Sequence, residues 1–595
     1  MLMNIMLFQL CFCVFLLGAG GCKEDNGQTS PAPAEIPANP ATPVYSNHAI
    51  TTDKAIYKPG DNVIFTLEMS QIPATAKVRY KHLNEVVGEA AVTESSWAWQ
   101  APATDFWGYM VEVYSTANET ETILATTAVD VSSDWKKFPR YGFLSKFPQL
   151  NEAEVQAVMT NLNKHHINGI QFYDWHHKHH LPLPTAGAAP APSWKDIINR
   201  DIYFTTVQKY ITAAHGLNMK AMQYNLIYGV WDNAEADGVN KEWFIYKDNT
   251  RTNRDFHPLP APPFLSNIYL IDPSSTGWQQ YLINENRKVY QHLAFDGFHM
   301  DQLGDRGATF KHDGTALNLA QSYKPFINAI KADAPTKYAV LNAVSQYGQQ
   351  GIAESSSDFL YSEVWNPFDT YNDLANIIKQ NNTLSNNTKN TVLAAYMNYD
   401  LSNNQGVFNT AAVLMTNAVI FAHGGAHLEL GEHMLSKEYF PHHNLELRQD
   451  LKSAMVAYYD FLVAYQNLLR DGGSFNNPTV TAGDSKLKLA AWPAAAGSVA
   501  TFGKLVGNQQ ILHFINFNNS KTQNWRDNTG TQTAPIQVND AKLSFIATGP
   551  VKKLWTATPD IIGGASRSLN FSQNGNQVSF TLPELNYWSM VVVEY

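Results

Sequence analysis

Three observations predict a multidomain chain in which a central (β/α)8, or TIM, barrel lies between two β-sandwiches. Helix-then-strand units recur some seven or eight times over residues 134–474. Period-two apolar runs broken by turn signals precede them over 47–133, and strand patterning without helical periodicity follows over 475–595.

In chain order, Ile5 to Leu17 is apolar but for Gln9 and is too short to span a bilayer, so residues 1–21 read as an export signal. Leu17-Gly18-Ala19-Gly20-Gly21-Cys22 resembles a bacterial lipobox, which implies lipidation at Cys22; a plain secretory signal is the alternative. Lys23-Glu24-Asp25 resembles the acidic tag that directs lipoproteins of some Gram-negative bacteria outward. The expectation is therefore an exported lipoprotein held at the outer membrane and facing the cell surface. Cys11 and Cys13 leave with the signal, so the mature chain has no disulfide framework. Residues 22–46, rich in Pro, Ala, Thr and Ser, read as a flexible tether between lipid and fold.

The first sandwich rests on runs such as Asn62 to Leu67 and Tyr109 to Tyr114, separated by turns like Lys58-Pro59-Gly60-Asp61. The barrel opens with a capping-box start, Asn151 and Glu154, ahead of Val155, Val158, Met159 and Leu162 on one helix face. The strand Ile170 to Asp174 follows. The pattern repeats as Val207–Ala214 before Met219–Asn225, Tyr281–Leu293 before Gly297–Asp301, and Tyr323–Ala332 before Tyr338–Asn342. Further strands are expected near Phe359–Glu363, Val392–Met397 and Ala418–His423. No Gly-rich phosphate turn follows the first strand, which disfavours a doubly wound dinucleotide-binding sheet. Runs such as Ile511–Phe517 and Trp588–Val593 build the terminal sandwich.

Composition narrows the function. Net charge is −10 and no long basic run exists, which argues against nucleic acid as a partner. Charged residues are only 16% and aromatics 12%, so Asn, Gln, Ser and Thr must solvate much of the surface. Such a chain suits sugars, whose apolar ring faces stack on aromatics and whose hydroxyls pair with amides and carboxylates.

In a barrel the chemistry sits at the C-terminal strand ends. That filter selects Tyr173, Asp174, Tyr224, Asn225, His299, Asp301, Asn342, Glu363 and Trp365. Asp301 and Glu363 each end a strand, and paired carboxylates on separate strands are what glycoside hydrolysis needs. The histidines offer a rival reading. His176, His177, His179 and His180 cluster before Leu181, and His423, His427 and His433 surround Gly424-Gly425, so i,i+4 pairs could bind zinc. Neither cluster has the two-His-plus-Glu pattern, and sugar-contact loops using His and Glu429 are preferred, with no metal and no cofactor expected.

Over residues 46–595 the chain resembles glycoside hydrolase family 66, the dextranases and cycloisomaltooligosaccharide glucanotransferases. The resemblance is carried by Arg140 to Ser145, Tyr173-Asp174, Tyr224-Asn225, Gly297 to Gly304, Tyr361 to Asn366, and Leu582-Pro583 to Trp588. It implies an immunoglobulin-like first sandwich and cleavage of α-1,6-glucan with retention. Asp301 then looks like the nucleophile and Glu363 like the acid/base, with Tyr173, Asp174 and Tyr224 holding the glucose on the nucleophile's side. Retention requires the two carboxyls about 5 to 5.5 Å apart.

No long strand-patterned stretch interrupts the barrel, whereas cyclising members carry an inserted sugar-binding module. An endo-dextranase releasing isomaltooligosaccharides is therefore expected. The alternatives are a cyclising glucanotransferase, a hydrolase of another α-glucan such as starch, and a non-catalytic surface glycan-binding lipoprotein.

Overall fold

The computed structural model describes residues 35–595 except Ala494. The expected signal at 1–21, the lipidation at Cys22 and the tether up to residue 34 lie outside the described residues. No helix among the described residues is long and apolar enough to cross a membrane.

Alternation builds the first domain. Along Asn62–Glu68, Val63, Phe65 and Leu67 point inward while their neighbours face solvent. This strand pairs antiparallel with Ala49–Thr52 and Ser96–Gln100 to make one sheet. The facing sheet contains Thr120–Val131, Trp107–Ala117, Lys77–His82 and Glu85–Ala91, with Val44–Tyr45 parallel to Thr122–Ile123 at its edge. The last stretch of the expected tether is thus ordered. Asn39 Nδ2 also donates to Thr581 O at 2.8 Å, and the Asn570 N–H donates to Asn39 Oδ1 at 3.0 Å.

The middle of the chain contributes eight parallel strands, each followed by a helix. They are β1 (Tyr141–Leu144), β2 (Gly169–Phe172), β3 (Lys220–Leu226), β4 (Gly297–Asp301), β5 (Tyr338–Leu341), β6 (Leu360–Glu363), β7 (Thr391–Ala394) and β8 (Ala426–His427). The helices are α1 (Glu152–Lys164), α2 (Phe204–Gly216), α3 (Thr276–His292), α4 (Leu319–Asp333), α5 (Gln349–Ala353), α6 (Tyr371–Leu384), α7 (Thr410–Ala422) and α8 (Gln449–Ala464). β1 to β5 form one sheet in sequential order, and β6 to β8 form another. The Ala343 N–H donates to Tyr361 O at 2.9 Å, joining the end of β5 to β6. The Phe143 N–H donates to Leu430 O at 3.0 Å, joining β1 to the residues just after β8.

Local chemistry sets the helix starts. Asn151 and Glu154 close a capping box at α1, and Thr370 and Asp373 close one at α6. The expected strand at Ala418–His423 is a correction: those residues belong mostly to α7. Nearly every side chain of α7 is buried, because the helix packs between its neighbouring helices and the strand Gln509–Asn516 of the last domain. A helix apolar on all sides shows no 3.6-residue period, so its sequence reads like a buried strand. A second difference lies between β3 and α3, where Gly229–Val230, Ile268–Leu270 and Phe256–His257 form a small antiparallel sheet.

The C-terminal domain is two facing sheets, one built around Val499–Val506, Gln509–Asn516, Trp588–Glu594 and Lys553–Ala557, the other around Val538–Ile546 and Gln577–Leu585. Its pairing is antiparallel except where Leu489–Ala491 runs parallel to Val499–Thr501.

Candidate active site

A cleft of about 530 Å³ opens where β2 to β7 end. Tyr173, Asp174, Tyr224, His299, Asp301, Asn342, Glu363 and Trp365 line it together. Asn225 does not. Successive strand residues point to opposite faces, so with Tyr224 inward Asn225 turns away, is buried, and donates from Nδ2 to His179 O at 2.7 Å. Expected as a sugar contact, it anchors the loop after β2 instead. A larger cavity, about 820 Å³ between the two β-domains, is lined by none of the residues selected from the sequence.

Asp301 and Glu363 share a donor. Asn342 Nδ2 lies 2.9 Å from Asp301 Oδ1 and 2.9 Å from Glu363 Oε2. Tyr224 Oη donates to Asp301 Oδ2 at 2.7 Å, and the Gln302 N–H donates to Oδ1 at 2.8 Å. On the other side Tyr396 Oη donates to Glu363 Oε1 at 2.8 Å. Two N–H bonds diverging by roughly 120° from one nitrogen set the facing carboxylate oxygens about 5 Å apart.

Burial raises both carboxyls above their ordinary range, and at Glu363 the close charge of Asp301 adds to that push, taking it to about 7. For Asp301, the hydrogen bonds from Tyr224, Asn342 and the Gln302 amide oppose that push. Bonds from Tyr396, Asn342 and Trp365 oppose it at Glu363 likewise, so it is the neighbouring charge of Asp301 that leaves Glu363 the better placed to hold a proton.

The walls are aromatic. Tyr173 stacks on Phe440 at 4.3 Å between ring centroids and tilts against Tyr224 at 5.0 Å. His299 packs edge-on to Tyr361 and beside Tyr141, and burial lowers it to about 3, so it is a neutral hydrogen-bonding group. Asp174 sits at φ 48, a left-handed conformation that Asp tolerates, and burial raises its carboxyl to about 7. Trp365 lies against Tyr396 at 5.3 Å.

The histidine clusters divide. His179 reaches the cleft, whereas His180 pairs with Asp237 at 2.9 Å and His177 bonds Lys195 O at 2.7 Å. His423 stacks on Phe502, and His427 bonds Asn417 Oδ1 and Ala395 O beside Glu429. Among the described residues no three His, Cys, Asp or Glu side chains converge as a metal site would require.

Several cleft residues escaped sequence reasoning. Tyr396 is the polar end of a run recognised as a strand, and the strand-end rule would have found it. Phe440 and Tyr439 come from the loop after β8, His257 from the small sheet after β3, and Leu259 and Phe264 from the connection between Phe256–His257 and Ile268–Leu270 of that sheet. No local pattern marks them.

A fold of parallel strands and helices between β-domains, with two amide-linked carboxylates in an aromatic cleft, defines a carbohydrate-active enzyme. A model of glycosyl hydrolase family 66 matches residues 52–592. The chain belongs to that family. It is 28% identical to a cycloisomaltooligosaccharide glucanotransferase of Niallia circulans, over 92% of this chain and 71% of that one. It is 22% identical to a dextranase of Streptococcus salivarius, over 87% of this chain and 73% of that one. A solved structure of a Paenibacillus cycloisomaltooligosaccharide glucanotransferase complexed with cycloisomaltoheptaose superposes with TM-score 0.84 at 26% identity, covering 92% of this chain and all of that one.

Proposed function

We propose that this chain is an endo-acting, retaining glycoside hydrolase that cleaves α-1,6-glucosidic bonds of dextran to isomaltooligosaccharides. The observation carrying the reading is Asn342 Nδ2, 2.9 Å from both Asp301 Oδ1 and Glu363 Oε2. The spacing this bridge sets, about 5 Å, suits a nucleophile and an acid/base, whereas an inverting pair needs room for a water between the carboxyls. Glu363 protonates the glycosidic oxygen as Asp301 attacks the anomeric carbon, giving a glycosyl-enzyme. Glu363 then takes a proton from water, which displaces Asp301 with overall retention. The eight parallel strands are read as a (β/α)8 barrel, supported by the bonds that join β5 to β6 and β1 to the end of β8. Export, with a lipid anchor at Cys22 at the cell surface, belongs to the same proposal.

The second reading is intramolecular transfer, in which the chain's own far hydroxyl replaces water and a cyclic product forms. The glucanotransferase relatives and the structure complexed with cycloisomaltoheptaose favour it. Against it, matching this chain of 595 residues to the Niallia circulans relative takes 707 aligned positions, so that relative carries long stretches with no counterpart here. Incubating the full chain with dextran, beside Asp301→Asn and Glu363→Gln, tests both. Linear isomaltooligosaccharides, lost in both variants, are expected; products lighter by one water would establish cyclisation, and binding without turnover would reduce the chain to glycan capture.

A further inference from the structure

The loop between strands Gln509–Asn516 and Val538–Ile546 of the C-terminal domain leaves its own sandwich and enters the catalytic domain. Trp525, fully buried, donates from Nε1 to Phe368 O at 2.7 Å, and its N–H donates to Asp369 O at 3.2 Å. One residue on, the Asn398 N–H donates to Arg526 O at 2.8 Å, and Asn398 Nδ2 donates to Asp527 O at 2.7 Å. Asn409 Nδ2 donates to Asp527 Oδ2 at 2.9 Å. The loop is thereby stitched to the segments after β6 and after β7.

Arg526 lies between those segments, 6% exposed. Its Nη2 donates to Val364 O at 2.7 Å and its Nη1 to Tyr396 O at 3.3 Å. Val364 is the residue after Glu363, and Tyr396 is the phenol that holds Glu363 Oε1. The guanidinium carbon lies 4.9 Å from the Trp365 ring centroid and 4.5 Å from that of Trp525. A planar fork that spans two carbonyls on adjacent segments fixes their relative position in a way a single ammonium cannot.

We infer that Arg526, delivered by the C-terminal β-domain, is a positioning residue that fixes Glu363 and its partner Tyr396 in register for proton transfer. The inference rests on the reading of Glu363 as the acid/base. It makes the terminal domain part of the catalytic apparatus: the barrel supplies the carboxyl and the β-domain sets where its proton points.

The test separates proton donation from general damage. Cleavage of dextran needs an acid at the leaving oxygen, whereas fluoride leaves an α-isomaltotriosyl fluoride unprotonated as Asp301 forms its bond to the anomeric carbon. Arg526→Lys and Arg526→Met in the full chain are expected to lose about 100-fold in kcat/KM on dextran and less than about 5-fold on the fluoride, within the range general acid catalysis supplies. Lys keeps the charge without the fork, so a Lys variant that folds and restores dextran cleavage would overturn the inference. Equal losses on both substrates, or no loss on either, would do the same. Glu363→Gln is measured alongside: if it spares dextran, the acid/base reading itself falls. If it shows the selective loss while Arg526→Lys does not, the inference about Arg526 alone falls.

Discussion

Asn342 and Glu363 exchange two hydrogen bonds: Asn342 Nδ2 donates to Oε2 at 2.9 Å, and the Glu363 N–H donates to Asn342 Oδ1 at 3.1 Å. The return bond fixes which way the amide faces, and so aims its second N–H at Asp301. One side chain at the end of β5 thus sets the geometry of carboxyls on β4 and β6. Replacing Asn342 by Ala removes a donor from both. kcat on dextran is expected to fall about 100-fold, with near-unchanged affinity for isomaltooligosaccharides by calorimetry. Retained kcat would show that the amide only fills space.

The pH dependence follows from the same contacts. In its proposed role as proton donor Glu363 must be protonated, and with its carboxyl raised to about 7, kcat/KM is expected to decline above that pH. Tyr396 Oη stabilises the ionised form. Tyr396→Phe removes that help, so the carboxyl rises further and the alkaline limb of kcat/KM moves to higher pH. An alkaline limb that stays put or moves down would contradict this role for Tyr396.

Neighbouring residues on β3 are expected to part ways. Tyr224→Phe removes a hydrogen bond to Asp301 and should lower kcat about 10-fold with little change in thermal stability. Asn225→Ala, which frees the backbone at His179, should cost about 1 kcal/mol in unfolding free energy and act on KM through the loop. Denaturation curves beside steady-state kinetics separate the two; the opposite pattern would mean that Asn225 touches sugar.

What the sequence disclosed and what it withheld have physical causes. Asp301, Asn342 and Glu363 were visible because an apolar run ending in a polar residue is a local pattern, and the fold turns that pattern into a place. The same rule overreaches at Asn225, since it ignores alternation along the strand, and it also reaches Tyr396, the last polar residue of the run Val392–Met397. The eighth strand was misplaced onto Ala418–His423 because a helix buried on every side has no period to read. The strand itself, Ala426–His427, is too short to leave a pattern. Phe440, His257 and Arg526 reach the site or its supports from distant loops, and their approach is a tertiary fact.

Glu363 also links the proposed catalysis to stability. Its carboxyl is raised in the folded protein to about 7, so ionising it there costs more than ionising it in the unfolded chain. Below the ordinary carboxylate range both states hold the proton and the cost is absent. As pH rises toward 7 the unfolded chain releases its proton first, and stability declines until the folded carboxyl ionises too. Glu363→Gln cannot ionise, so it escapes this decline. Gln keeps only one acceptor oxygen for Tyr396 and Asn342, a loss of about 1 kcal/mol that is the same at every pH. The signature is therefore the slope: the Tm of the Gln variant minus that of the parent should grow by about 2 °C or more between pH 4 and pH 8. A difference flat across that range would mean that Glu363 is ionised in the folded protein as readily as in water, and would remove the basis for its role as the acid.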